Sequence, residues 1–157
     1  MKTKVYLILL ISIIVLTNCS SNCSHNNDSI EFMEIPIDGN VNTFGDKLSQ
    51  KGYTFYTEDT TYHQLIYYGI YLNKQATIRL DYEEGTKNIT SARVVFQGDL
   101  PNTTALINEY TEKYGKCSMD TETELGFIYY SWEIRGGKLT ISTCSSPIVS
   151  IEYYKSK

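Results

Sequence analysis

Between Ile30 and Tyr154 the apolar residues recur mostly at every second position, interrupted by two stretches where they recur every third or fourth. Period two enriched in β-branched and aromatic residues predicts strands with one buried face, and the longer spacing predicts amphipathic helices. One strand pattern occurs twice. Leu65-Ile66-Tyr67-Tyr68-Gly69-Ile70-Tyr71-Leu72 is matched, 62 positions on and without a gap, by Phe127-Ile128-Tyr129-Tyr130-Ser131-Trp132-Glu133-Ile134. In both copies the even positions (Ile66, Tyr68, Ile70, Leu72 and Ile128, Tyr130, Trp132, Ile134) are apolar or aromatic, so these are the expected core positions.

Similar elements surround both copies. Val41, Phe44 and Leu48 share one face of a first helix that Asn40 or Asn42 can cap and Gly52 ends. Gly45 inside it lowers helix stability by about 1 kcal/mol relative to Ala, so that helix depends on packing. Leu106, Tyr110, Ile107 and Tyr114 form the stripe of a second helix, with Asn102 as cap and Gly115 as stop. Tyr53 to Thr57 opens the first set of strands. After the first copy, Ala76-Ile78-Leu80-Tyr82 and Ala92-Val94-Phe96 alternate; after the second, Gly136-Gly137 marks a tight hairpin, followed by Leu139-Ile141 and Val149-Ile151-Tyr153. The expected fold class is α+β: a tandem repeat of one helix plus a four-stranded antiparallel sheet, with the helices packed on one sheet face. The two units (about 30–98 and 99–157) would share one core within a single domain, 30–157, because each alone is too small to bury a good one. Ile30 to Ile37 is expected as a short opening segment or edge strand.

If the helices cover the even face, the odd face is open. It would carry Tyr67, Gly69 and Tyr71 from one copy and Tyr129, Ser131, Glu133 and Arg135 from the other, with Arg79 and Asp81 beside them. Rigid aromatics next to charges are the composition of a binding surface. Tyr67, Tyr71, Arg79, Tyr129 and Glu133 are therefore the candidate partner-binding face. The bland alternative is a half-wet sheet face rich in strand-favouring residues, which fourteen tyrosines in the chain would also supply.

The first residues belong to no fold. Lys2 and Lys4 precede an apolar run, Val5 to Leu16, of signal-peptide length and too short to span a membrane. Leu16-Thr17-Asn18-Cys19 resembles the bacterial lipoprotein signal, although Asn18 stands where a smaller residue is usual. The expectation is a leader, 1–18, lipidation of Cys19, and a Ser/Asn-rich tether, 19–29. The protein would then sit in the cell envelope, lipid-anchored, on the periplasmic face of the outer membrane. An ordinary secretory signal is the alternative.

Charge removes one class of partner. Without Lys2 and Lys4 there are 12 basic against 18 acidic residues, a net of −6 and no basic stripe for a nucleic-acid backbone. No cofactor or metal motif occurs: His63 near Glu58 and Asp59 offers a single imidazole, and no nucleophile-elbow pattern is present. Cys117 and Cys144 lie in the folded part, in a compartment that permits disulfides, and either bridge one another or are separate buried thiols. Binding of another envelope protein is thus favoured over catalysis. The alternative is a small-ligand carrier or enzyme using a cleft between the two repeats.

Phe32-Met33-Glu34-Ile35-Pro36-Ile37-Asp38-Gly39, followed by Phe44, Lys47-Leu48 and Lys51-Gly52-Tyr53, resembles the start of a family of uncharacterised exported proteins of Bacteroidota. Tyr110 to Gly115, Trp132 and Gly137-Lys138-Leu139 resemble its later elements, and Glu34 replaces its usual Gly. That resemblance carries no site residues. The tandem arrangement also resembles the architecture of β-lactamase inhibitor protein, which implies a fold and not a function.

Overall fold

The computed structural model describes residues 29–156, so the leader, Cys19 and nearly all of the tether lie outside the described residues. Along the chain come β1 (Glu31–Phe32), β2 (Ile35–Pro36), α1 (Val41–Gln50), β3 (Thr54–Asp59), β4 (Gln64–Tyr71), β5 (Lys74–Tyr82), β6 (Ile89–Gln97), α2 (Thr103–Tyr114), β7 (Ser118–Glu122), β8 (Phe127–Ile134), β9 (Gly137–Cys144) and β10 (Ile148–Lys155).

Both helices begin and end where their chemistry dictates. The Asn40 side chain accepts from the Asn42 amide at 2.9 Å and Asn102 accepts from the Ala105 amide at 3.0 Å, each satisfying an otherwise unpaired donor. Gly52 and Gly115, at φ 92° and 87°, take a positive φ that only glycine adopts readily and that lets the chain leave each helix.

The sheet corrects the expected architecture. All eight long strands form one antiparallel sheet in the order β3-β4-β5-β6-β10-β9-β8-β7, beside a separate two-stranded β1-β2 hairpin. The molecule is mostly sheet with two short helices, and not a tandem repeat of helix plus four-stranded sheet. The overturning contact is β6 with β10, paired from Ile148–Gln97 to Tyr154–Ser91. Two separate four-stranded sheets would leave those strands as open edges of unpaired N–H and C=O groups; pairing them removes two of the four edges.

The helices and the β1-β2 hairpin cover one face of this sheet. Phe32 at the hairpin tip is fully buried, with ring centroids 5.9 Å from Tyr71, 5.3 Å from Tyr153 and 6.5 Å from Phe44, so it joins α1, β4 and β10. Met33 and Glu34 form its tight turn at φ 53° and 63°. From the sheet, Ile78, Leu80, Val94, Phe96, Leu139, Ile141 and Ile151 complete the core.

The duplicated strand pattern points opposite ways in its two copies. In β8 the even positions face the core: Trp132 is 1% exposed, and Tyr130 and Ile134 pack beside it. In β4 the odd positions do: Tyr67 is 5% exposed, whereas Tyr68 is 44% and Ile70 is 64% exposed. The hairpins explain the inversion. Tyr71 pairs with Lys74 and Ile134 pairs with Gly137, so counted from the turns Tyr71 corresponds to Ile134, one residue out of step with the sequence match. A one-residue slip moves every side chain to the other face.

Two glycines mark where the core approaches closest. A Cβ on Gly69 of β4 would fall 2.4 Å from the ring of Tyr53, which lies across that strand and donates its hydroxyl to the Ile70 carbonyl at 2.8 Å. A Cβ on Gly45 of α1 would fall 2.0 Å from the Tyr67 hydroxyl. Gly45 is therefore a packing requirement of the helix and not merely a weak spot in it. Helix propensity alone predicts that Gly45→Ala gains about 1 kcal/mol. The geometry predicts instead a loss of about 1–3 kcal/mol from overpacking. Urea unfolding decides the sign, and Tyr67→Phe in the Gly45→Ala background should recover part of the loss.

Candidate functional site

Alternation along the strands sends a second set of side chains to the face that carries neither helices nor hairpin. At its centre those residues are polar: Arg79 and Asp81 from β5, Ser91 and Arg93 from β6, Ser150, Glu152 and Tyr154 from β10. Glu152 is 7% exposed, which would strongly disfavour its charge without a partner. It has one: Arg93 donates to its Oε1 at 2.6 Å, and the Ser91 hydroxyl donates to the same oxygen at 3.3 Å. Asp81 accepts from Gln64 Nε2 at 2.6 Å and shares the single Ser91 hydroxyl proton with Glu152, as the nearer of the two acceptors. Hydroxyl pairs continue the strip, Ser142 with Ser150 at 2.6 Å and Ser131 with Thr140 at 3.0 Å.

A groove of about 350 Å³ crosses this strip, floored by Ser142 and Ser150 and reaching from Arg79 on β5 to Phe127 and Tyr129 on β8. The Phe127 and Tyr129 rings stack with centroids 6.0 Å apart. The Tyr129 hydroxyl donates to Glu122 at 2.9 Å, and that bond raises the phenol above its ordinary pKa. Burial, then the neighbouring Glu152 carboxylate, does the same to Tyr154. Both phenols therefore stay protonated at neutral pH.

Toward the β3 edge the same face becomes apolar. The Tyr56 and Tyr68 rings lie 4.8 Å apart; Tyr56 is 61% exposed and Ile70 beside them is 64% exposed. Tyr56 sits at the irregularity in β3-β4 pairing between Phe55 and Thr57, where an extra residue turns its ring onto this face.

Of the residues expected on the partner-binding face, Arg79, Tyr129 and Glu133 lie on the open side. Tyr67 and Tyr71 do not: they share the core side of β4, where Tyr67 packs under α1 and Tyr71 against Phe32 and Phe96. The cause is the one-residue slip described above. In their place β4 presents Ile66, Tyr68 and Ile70. Sequence reasoning also missed Arg93, Glu152, Phe127 and Tyr154. A charged residue between two core positions, as in Ile151-Glu152-Tyr153, was the available signal. Cys117 and Cys144 are both free and half-buried, with the Cys144 thiol directed at the Ser146 and Ile148 carbonyls.

The opposite side has a cleft of about 570 Å³ where α2, the β1-β2 hairpin and the ends of β4, β8 and β10 meet. Tyrosine hydroxyls converge there: Tyr110 and Tyr153 lie 3.3 Å apart, and Tyr71 belongs to the same cluster. Burial pushes the Tyr110 and Tyr153 phenols well up, so they stay protonated and hydrogen-bond one another. That arrangement is a satisfied core network. At the far end of the sheet, Tyr82 and Lys87 donate to Glu58 at 2.6 and 3.0 Å, and the carboxylate raises Tyr82 to about 12. His63 lies against Tyr82 and 3.7 Å from Glu84. Among the described residues no group of three or more His, Cys, Asp or Glu side chains could hold a metal ion, and no helix is long and apolar enough to cross a membrane. No protein-family model, curated protein or solved structure matches the chain.

Proposed function

We propose that this protein is a lipid-anchored cell-envelope module that binds another envelope protein through the open face of its sheet. The observation that carries the reading is the apolar end of that face, where Tyr56, Tyr68 and Ile70 present large exposed side chains next to the polar strip. Exposed aromatic area rimmed by charge is the anatomy of a protein interface. Anchoring rests on Leu16-Thr17-Asn18-Cys19 behind a charged and apolar leader. Acylation of Cys19 on its thiol and new amino group supplies the two or more chains that stable membrane attachment needs. The resemblance to exported Bacteroidota proteins points the same way, to the periplasmic face of an outer membrane. A tether then holds the open face near that membrane and raises the local concentration of any membrane-bound partner. The acidic net charge argues against nucleic acid as that partner.

One experiment tests both parts. A photoreactive side chain in place of Tyr68 should cross-link a discrete protein in intact envelopes. Adding Cys19→Ser should move the protein to the soluble periplasmic fraction and diminish the product. Retention of the Cys19→Ser variant in the membrane fraction removes the anchor from the reading. Absence of any product from Tyr68 in the anchored protein removes the open face.

A further inference from the structure

Arg79 and Arg93 stand directly opposite one another on β5 and β6. Like charges at directly opposed positions destabilise a sheet unless something neutralises them. Arg93 has Glu152. Arg79 has no ion pair or hydrogen-bond partner among the described residues, and its Nε is buried without an acceptor, as is the Nε of Arg93. The carboxylates that face the pair are already engaged: Glu152 with Arg93 and Ser91, Asp81 with Gln64 and Ser91. Both guanidinium groups line the 350 Å³ groove whose far wall is Phe127 and Tyr129. The terminal nitrogens of the Arg79 guanidinium, which no carboxylate engages, match the two oxygens of a carboxylate, and ring faces beside them suit an apolar or aromatic neighbour.

We infer that this groove is a carboxylate-recognition site, which takes a Glu or Asp side chain of an acidic peptide segment between Arg79 and Arg93, with flanking apolar residues against Phe127 and Tyr129. The inference rests on the open-face reading and gives its partner a chemistry: an acidic segment with aromatic or apolar neighbours. Arg79 supplies the bidentate donors. Arg93, held by Glu152, supplies a second charge, so the bound carboxylate offsets the like-charge pair.

The test uses the full chain in detergent solution, isotope-labelled so that arginine Nε–H signals are resolved by NMR. The probes are an acetylated and amidated Phe-Glu-Phe peptide, its Phe-Gln-Phe counterpart, and inorganic phosphate. The Glu peptide should shift the Arg79 and Arg93 side-chain signals saturably, and the Gln peptide should bind about tenfold more weakly or worse, because charge-assisted hydrogen bonds are lost. Arg79→Gln should bring the Glu peptide down to the level of the Gln peptide while signals from the helix side stay in place. Arg79→Lys, which keeps the charge and loses the fork, should fall between. Equal affinity for the two peptides, saturation by phosphate without peptide binding, or no shift at all overturns the carboxylate site. A persisting Tyr68 cross-link alongside any of those results leaves the open-face reading standing. Loss of the cross-link with Glu-peptide binding intact does the reverse.

Discussion

Truncating Trp132 to Ala is expected to destabilise the protein by about 3–5 kcal/mol, the cost of deleting a large aromatic from a packed core. Trp132 is 1% exposed, meets Tyr110 of α2 edge-on with centroids 5.8 Å apart, and donates its indole N–H to the Gly115 carbonyl at 3.1 Å. It therefore fastens both the body and the C-terminal end of α2 to β8. Trp132→Phe keeps most of the ring area and forfeits the hydrogen bond, so its loss should be smaller, about 1–2 kcal/mol including the orphaned carbonyl. Tyr68→Ala is the informative control. Tyr68 lies on the open face and is 44% exposed, so its truncation should stay within about 0.5–1 kcal/mol. Urea unfolding with a common slope for all three variants checks the order. A Tyr68→Ala loss as large as that of Trp132→Ala would mean that Tyr68 is buried after all.

That contrast shows what the sequence discloses. Trp132 and Tyr68 both fall on the even positions of the repeated pattern, but only Trp132 is flanked by polar residues, Ser131 and Glu133, that mark the other face as wet. In β5, β6, β9 and β10 the alternation is unambiguous, because Arg79, Asp81, Arg93, Lys138 and Glu152 interrupt the apolar positions and fix which face is wet. In β4 every residue from Leu65 to Tyr71 except Gly69 is apolar or aromatic, so either phase satisfies the pattern. The decision lies elsewhere: in the Tyr71–Lys74 hairpin that sets the register, and in Gly45 and Gly69, whose missing side chains admit Tyr67 and Tyr53. Helix limits were legible because caps and terminal glycines act locally through Asn40, Asn102, Gly52 and Gly115. The β6-β10 junction was not, since backbone edges carry no side-chain signature that names their partner. Strand β7 was equally silent, being an edge strand exposed at every position.

The candidate site inherits that unevenness. Arg79, Tyr129 and Glu133 could be read because their strands have a clear wet face. The residues that give the groove its chemistry come together only through the β6-β10 pairing, which sets Glu152 opposite Arg93. An alternating strand with one charge in its middle reads as a solvated face, and only the sheet order shows that Glu152 lies in the middle of eight strands, flanked by β6 and β9.

Glu152→Ala is expected to cost about 3 kcal/mol, near the lower end for breaking a buried ion pair because Arg93 keeps a third of its side chain in water. The variant leaves Arg93 without its carboxylate, Ser91 without one of its two acceptors, and two arginines facing each other across β5 and β6 with nothing between them. Removing Arg93 as well should recover much of the loss. In the Arg93→Ala/Glu152→Ala double variant neither an unpaired charge nor the opposed pair remains, and the coupling energy from the cycle should exceed about 1 kcal/mol. Adding Arg79→Ala to Glu152→Ala separates the two contributions: recovery there reports like-charge repulsion, whereas recovery only with Arg93→Ala reports the unpaired guanidinium. Additive losses throughout would mean that the polar strip is held by its hydroxyl network alone. The same cycle bears on binding, because an anion that enters between Arg79 and Arg93 should raise the stability of Glu152→Ala more than that of the parent, by supplying the negative charge that Glu152 otherwise provides.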